Sequence, residues 1–251
     1  MCTLSLVPGE NGYLVAMNRD ELRTRPPALP PRVLELNGTE VMYPREPAGG
    51  TWIACNAAGN LLALLNWHDV DAAMPGAQMQ TRGVVIPNLI AETDSFGVGL
   101  RIKRLDLKGM LPFRLVGIFR AERTVCEWRW DGTRLSEVEL SWTRRHWFSS
   151  GLSDALAEEG RGPAFEAAAQ ESGVWDETWL TNLHRSHAPT PGPYSICVHR
   201  PDASTVSYTV VRCADWCISM GYVEGSPCWK DGIDAFATIA VRKGLARAVT
   251  V

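Results

Sequence analysis

The chain of 251 residues is 45% hydrophobic and 21% charged, with no break in composition, so residues 1–251 are expected to form one well-buried domain. A net charge of −3 gives no electrostatic basis for a nucleic-acid partner, and no stretch approaches the ~20 apolar residues of a membrane span. Seven cysteines without paired spacing, and no basic region ahead of an apolar run at the start, point to a reduced cytoplasmic or organelle-matrix setting.

Thr3 to Val7 alternates polar and apolar residues, which predicts a half-buried strand, and Tyr13 to Met17 predicts a second. Pro8, Gly9, Glu10, Asn11 and Gly12 between them are a dense turn signal. A turn centred near Glu10 would set Cys2 across from about Asn18, with Arg19 and Asp20 just beyond. Cys2 becomes the terminal residue once Met1 is removed, and its α-amine then serves as the base for its own thiol. Arg19 is expected to favour the thiolate and lower the Cys2 pKa. Asp20 is placed to accept from the amine or to hold Arg19, Asn18 to face the substrate, and Glu21 to pair with Arg23 or Arg25.

Arg23 to Pro31, with four prolines, reads as an irregular loop. A second hairpin is predicted from Thr51–Asn56 and Leu61–Asn66, the latter apolar on both faces as a strand between two layers would be. Trp67 to Gln80 reads as a long loop suited to a lid, and Thr81 as the cap of a helix through Val84, Leu89 and Ile90 that must take Pro87 into its first turns. Strands are expected at Phe113–Phe119, Val125–Trp130, Arg134–Leu140 and His146–Ser150. Helices are expected at Leu152–Glu159, Pro163–Glu171 and Trp175–His184. Tyr194–His199 and Thr205–Arg212 read as a last hairpin around Pro201-Asp202, and Ala235–Val249 fits a helix or a strand. Antiparallel hairpins interleaved with helices suit two sheets covered by helices.

No metal is expected. His184, His187, His199, Cys213, Cys217 and Cys228 are candidate ligands without zinc-finger spacing or a Cys-x-x-Cys pair. Ten tryptophans are enough to line a flat cavity for haem or an acyl chain, and more simply serve as core and rim. His68 lies close enough to Asn66 in sequence to line the same pocket.

Met1-Cys2-Thr3-Leu4 and Asn18-Arg19-Asp20-Glu21 together resemble the NRDE family (transport and Golgi organization protein 2-like). Further matches are Gly49-Gly50-Thr51-Trp52, Asn56, Gly59, Leu65-Asn66, Thr81-Arg82-Gly83 and Ser195-Ile196-Cys197-Val198-His199, spanning Met1 to about Arg212. That family is similar to N-terminal nucleophile hydrolases of the penicillin V acylase and bile-salt hydrolase group. The resemblance implies an α+β, four-layer αββα sandwich of antiparallel sheets with the nucleophile at the tip of a central strand. It implies that Asn66, in its Leu65-Asn66-Trp67 context, supplies part of an oxyanion hole, with Trp67 beside it.

Two departures from those relatives stand out. Ser149-Ser150-Gly151 replaces a Ser-Asn or Thr-Asn pair, leaving Ser150 as a shorter donor, and Val206 falls where a second arginine is usual. The expected function is therefore a cysteine amidohydrolase acting on an amide or acyl bond of a small apolar-acyl substrate. The alternative is a protein that binds and passes on haem or an acyl ligand without hydrolysis, since haem trafficking and acyl-lipid metabolism are both attached to the family.

Overall fold

The computed structural model describes residues 2–70 and 79–242. Its frame is two antiparallel sheets. The first is built from β1 (Cys2–Pro8), β2 (Tyr13–Leu22), β10 (Arg145–Ser149), β11 (Ala203–Cys213), β12 (Cys217–Glu224) and β13 (Ala235–Ala240), in the order β10-β1-β2-β11-β12-β13. The second runs in chain order: β3 (Leu29–Leu36), β4 (Thr39–Arg45), β5 (Ile53–Asn56), β6 (Leu61–Asn66), β7 (Phe113–Phe119), β8 (Thr124–Trp130) and β9 (Leu135–Leu140).

Strand periodicity assigns the faces. Leu4, Leu6, Val15 and Met17 of the first sheet pack against Ile53, Leu61, Ala63, Val116 and Ile118 of the second in one apolar layer. The outer face of the second sheet buries Leu62, Leu64 and Trp128 against α1 (Val85–Leu89) and α2 (Ser95–Ile102). The outer face of the first carries α3 (Asp154–Ser172) and α4 (Glu177–Arg185), through Phe148, Phe165, Leu180 and Leu183. This is the expected α+β arrangement of helix, sheet, sheet and helix.

β1 is not half-buried as its alternation predicted: Thr3 and Ser5 are as inaccessible as Leu4 and Leu6. Their face is covered by α3 and α4, and the polar groups are satisfied there. Ser5 Oγ meets His184 Nε2 at 2.7 Å, and Thr3 Oγ1 accepts from Arg161 at 2.9 Å.

The β1–β2 register differs by one residue from expectation. Cys2 stands opposite Arg19 and Thr3 opposite Asn18, because the turn closes as Gly9 N–H to Gly12 O (2.8 Å), centred between Glu10 and Asn11. A one-residue slip exchanges the faces. Gly12 holds this turn against the far end of β11, where an added Cβ would lie 1.9 Å from the Cys213 carbonyl oxygen. Gly12→Ala is therefore expected to cost about 1–3 kcal/mol, as overpacking against rigid backbone does. A urea midpoint unchanged from the parent would show that the close approach is not needed.

Other departures follow from packing. The loop after Leu22 is shorter than expected, since Leu29–Leu36 enters the sheet with Pro30 and Pro31 accommodated on an edge strand. The two helices expected around Pro163 are one 19-residue helix, Pro163 costing it one backbone donor. Tyr194–His199 is not a strand: it runs alongside β11 through a single bridge, His199 to Ser204, and β11 instead pairs onward with β12. Of Ala235–Val249, residues 235–240 are a strand, and 243–249 lie outside the described residues, as do 71–78 of the expected lid.

Candidate active site

Cys2 opens β1 between two neighbours, Arg19 on β2 and Ser149 on β10. Directly opposed residues in antiparallel strands share a face, so these three side chains point together into the space between the sheets. The pocket there, of about 180 Å³, is lined by Cys2, Arg19, Glu21, Glu46, Asn66 and Arg82, among others. Trp52 supplies an apolar wall.

The Arg19 guanidinium stacks 4.4 Å from the Trp52 ring centroid and is paired with Glu46, which also holds Arg25 at 3.1 Å. Glu21 pairs with Arg25 at 3.4 Å, one of the two partners expected for it. Arg19 is thus a fixed cation, held by a carboxylate and an indole.

Burial pushes the Cys2 thiol up, with the Asp20 charge adding to it. The Arg19 charge and a hydrogen bond from the Asp20 backbone oppose this without overcoming it. Arg19 acts on the thiol in the expected direction, but desolvation outweighs it.

Asp20 lies on the helix-covered face of β2. Its Oδ1 accepts from Thr205 Oγ1 at 2.6 Å, and its Oδ2 is buried with no hydrogen-bond partner among the described residues, 3.9 Å from Arg161 Nη2. Burial raises the Asp20 pKa against the opposing Arg161 charge. Arg161 itself, 1% exposed, reaches through α3 to Thr3 Oγ1 and the Tyr194 carbonyl (3.3 Å), and contacts the Cys2 carbonyl at 3.5 Å.

Of the expected site residues, Cys2, Arg19, Asp20 and Asn66 gather at the pocket. Asn18 does not reach it. The register turns Asn18 to the outer face, where Nδ2 donates to the carbonyls of His184 and Ile196, both at 2.9 Å. Trp67 and His68 follow Asn66 out of the sheet and do not line the pocket. The His68 backbone N–H is bound to Asp154 at 2.6 Å, at the start of α3. Ser150 is also turned away, holding the turn into α3 through its backbone N–H to Asp154 (2.6 Å). Ser149 stands beside Cys2 instead, its buried hydroxyl unpartnered among the described residues.

A further arginine, Arg82, enters the pocket from another segment. Thr81 accepts from Gly83 N–H at 3.2 Å, capping a 3₁₀ turn, and Gly83 approaches Gly50 so closely that a Cβ on Gly50 would lie 3.1 Å from Gly83 Cα. This contact presents Arg82, anchored to the Pro112 carbonyl at 2.9 Å. The Gly49-Gly50 and Thr81-Arg82-Gly83 pattern was visible in sequence, but not its convergence on Cys2. Arg161 carried no signal at all.

The tryptophans divide between core and rim: Trp52, Trp128, Trp130 and Trp147 are buried, while Trp216 and Trp229 are exposed. All seven cysteines are free thiols. Among the described residues no helix is long and apolar enough to cross a membrane.

A family profile described as Transport and Golgi organisation 2 matches residues 1–155. No curated protein matches the sequence. Among solved structures, a mutant conjugated bile acid hydrolase from Clostridium perfringens aligns over 97% of this chain and 97% of its own, at 10% identity and a TM-score of 0.53. A second variant of that enzyme aligns over the same shares at 9% identity and 0.50. Penicillin V acylase from Agrobacterium tumefaciens aligns over 89% and 86%, at 10% identity and 0.47. At these identities the likeness to the bile acid hydrolases is one of fold.

Proposed function

Since this chain belongs to the Transport and Golgi organisation 2 family, with a fold shared by N-terminal nucleophile hydrolases, we propose that it is a cysteine amidohydrolase cleaving an amide or acyl bond of a small substrate. The observation that carries the reading is Cys2 at the pocket floor, flanked by Arg19 and Ser149 and backed by the unpartnered Asp20 oxygen.

With Met1 removed, the Cys2 α-amine takes the thiol proton and is steadied by Asp20 Oδ2. The sulfur attacks the carbonyl carbon, and the carbonyl π pair moves to oxygen, where Asn66 and Ser149 are the available donors. On collapse, the bond to the leaving group breaks and the leaving group takes the proton from the amine. Water, deprotonated by the same amine, then releases the acid from the thioester and restores the thiol. A thiol held up by burial suits this route, because the thiolate forms only as the amine accepts its proton.

The apolar-acyl expectation is revised. Trp52 offers one apolar wall, while arginines, glutamates, Thr51 and Asn66 make up most of the rest, which suits a compact acyl group carrying polar substituents. That polar lining is what favours this reading over one in which the protein binds haem.

The test pairs intact mass with pre-steady-state kinetics on p-nitrophenyl acetate. The expected result is a chain lacking methionine, with a nitrophenol burst that places one acetyl group on Cys2 and is lost in Cys2→Ala but kept in Cys217→Ala. A burst that survives Cys2→Ala, or a native chain that retains Met1, overturns the reading.

A further inference from the structure

Away from the pocket, the structure gathers four side chains that no sequence spacing joined. One ligand atom each from His187, Cys197, His199 and Cys228 lies within 4.8 Å of every other. His199 Nε2 is 3.1 Å from the Cys228 sulfur and 3.7 Å from the Cys197 sulfur. His199 is also edge-on to His187, with ring centroids 5.0 Å apart. His187 Nε2 is buried and has no hydrogen-bond partner among the described residues. Trp229 stacks on the His199 ring at 4.7 Å and closes one side. His184, Cys213 and Cys217, the other ligand candidates in sequence, are not part of this group.

We propose that His187, Cys197, His199 and Cys228 form a closed tetrahedral site for a structural zinc ion. Zinc takes thiolate sulfur at about 2.3 Å and imidazole nitrogen at about 2.0–2.1 Å, so a tetrahedron of this kind has edges of about 3.3–3.8 Å. The two sulfur–nitrogen edges through His199 lie within a few tenths of an ångström of that range. The widest separation, 4.8 Å, closes with side-chain rotation of about 1 Å on binding. Two thiolates and two neutral imidazoles balance the charge of Zn²⁺, and mixed sulfur and nitrogen donors in tetrahedral reach favour zinc over hard cations. Four protein ligands leave no open position, which is the structural rather than the catalytic pattern.

The place in the fold gives the ion work to do. Residues 186–202 between α4 and β11 form no helix or strand, yet Ile196, Cys197 and Val198 in their middle are buried. The ion would tie the start of this segment, at His187 two residues past α4, to its middle at Cys197 and His199 and to the 3₁₀ turn Pro227–Trp229 after β12. Val198 sits between two of the ligands. Its N–H donates to Thr205 Oγ1 at 2.9 Å, and that hydroxyl donates to Asp20. The site therefore holds a segment that positions Asp20, and it stands independently of whether Cys2 turns over.

The experiment is metal analysis of the full chain purified under a phosphine reductant, with cobalt exchange. The expected result is about one zinc per chain, lost with a chelator together with a fall in melting temperature. Cobalt in its place should give the intense visible bands of a tetrahedral site and a thiolate charge-transfer band. Cys228→Ser and His187→Ala should each lower zinc content several-fold, while Cys217→Ser leaves it unchanged. Metal-free chain that melts as the loaded chain does, cobalt spectra that are octahedral or lack the thiolate band, or a Cys197–Cys228 disulfide as the native state each overturn the proposal. Should Cys228→Ser fail to fold, the cobalt spectrum of the parent still decides.

Discussion

Arg161→Met is expected to destabilise the protein by about 3–5 kcal/mol, the usual consequence of removing one partner from a buried ion pair. Arg161 is 1% exposed and its neighbours are fixed: Thr3 Oγ1, the carbonyls of Cys2 and Tyr194, and the Asp20 carboxylate. Methionine fills much of the volume and supplies none of the five donors. What remains is an inaccessible carboxylate whose side-chain hydrogen bond among the described residues comes from the Thr205 hydroxyl.

The sign of the pH effect follows. Asp20 already has a folded pKa above its unfolded value through burial, and loss of the opposing Arg161 charge raises it further. A group raised on folding favours the native state below its unfolded pKa, and loses that contribution as pH rises through the folded pKa. The deficit of Arg161→Met relative to the parent is therefore expected to be largest near neutral pH and to shrink in acid. Urea midpoints for the two proteins at several pH values measure it. A deficit below about 1 kcal/mol at pH 7 would mean that the pair is not a buried one. Adding Asp20→Asn to Arg161→Met is expected to recover part of the loss, since the uncompensated charge is then gone.

The second large effect is acid sensitivity carried by two histidines. Burial holds His184 down to about 3, with the Arg161 charge adding to it. His146 is also held down to about 3, by burial first and then by the charges of His184 and Arg144. Unfolded histidine titrates near about 6.5, so below that pH the unfolded chain binds protons that the native one refuses.

Stability is consequently complete above about pH 6.5 and falls as pH drops toward about 3, at about 1.4 kcal/mol per unit per histidine. Between pH 7 and pH 5 the two together are expected to remove about 4 kcal/mol. His146→Phe isolates one of them. Its ring lies 3.7 Å from Phe165 and near Phe148, and neither ring nitrogen has a partner among the described residues, so phenylalanine suits the site. The variant is expected to match the parent or better at pH 7 and to lose about half as much on acidification. An equal loss in both proteins would exclude His146 from the acid transition.

How far these features were legible in sequence depends on how local their causes are. The hairpin at the start, the strands at Ile53–Asn56, Leu61–Asn66, Phe113–Phe119 and Leu135–Leu140, and the cap at Thr81 follow from alternation and turn residues only a few positions apart. The grouping of Cys2 with Arg19 and Asp20 needed only one tight turn to be inferred. Its register did not follow. Whether Asn18 or Arg19 stands opposite Cys2 rests on one residue of register, which Gly12 against Cys213 sets from the far end of β11.

Alternation in Thr3–Val7 announced two faces correctly, but not that the polar one is roofed by α3 and α4. Thr and Ser look the same in a sequence whether water or Arg161 and His184 satisfy them. Local pattern alone thus determined the reversing chain and the residues gathered at its open end. The tertiary structure decided which side chains face the pocket, brought Arg82 to it, set Ser149 beside Cys2 and Arg161 beside Asp20, and closed His187, Cys197, His199 and Cys228 into one cluster. The physical reason is that backbone periodicity is a short-range property, while the partner of a buried charge or a metal ligand is selected by the packing of segments tens to more than a hundred residues apart.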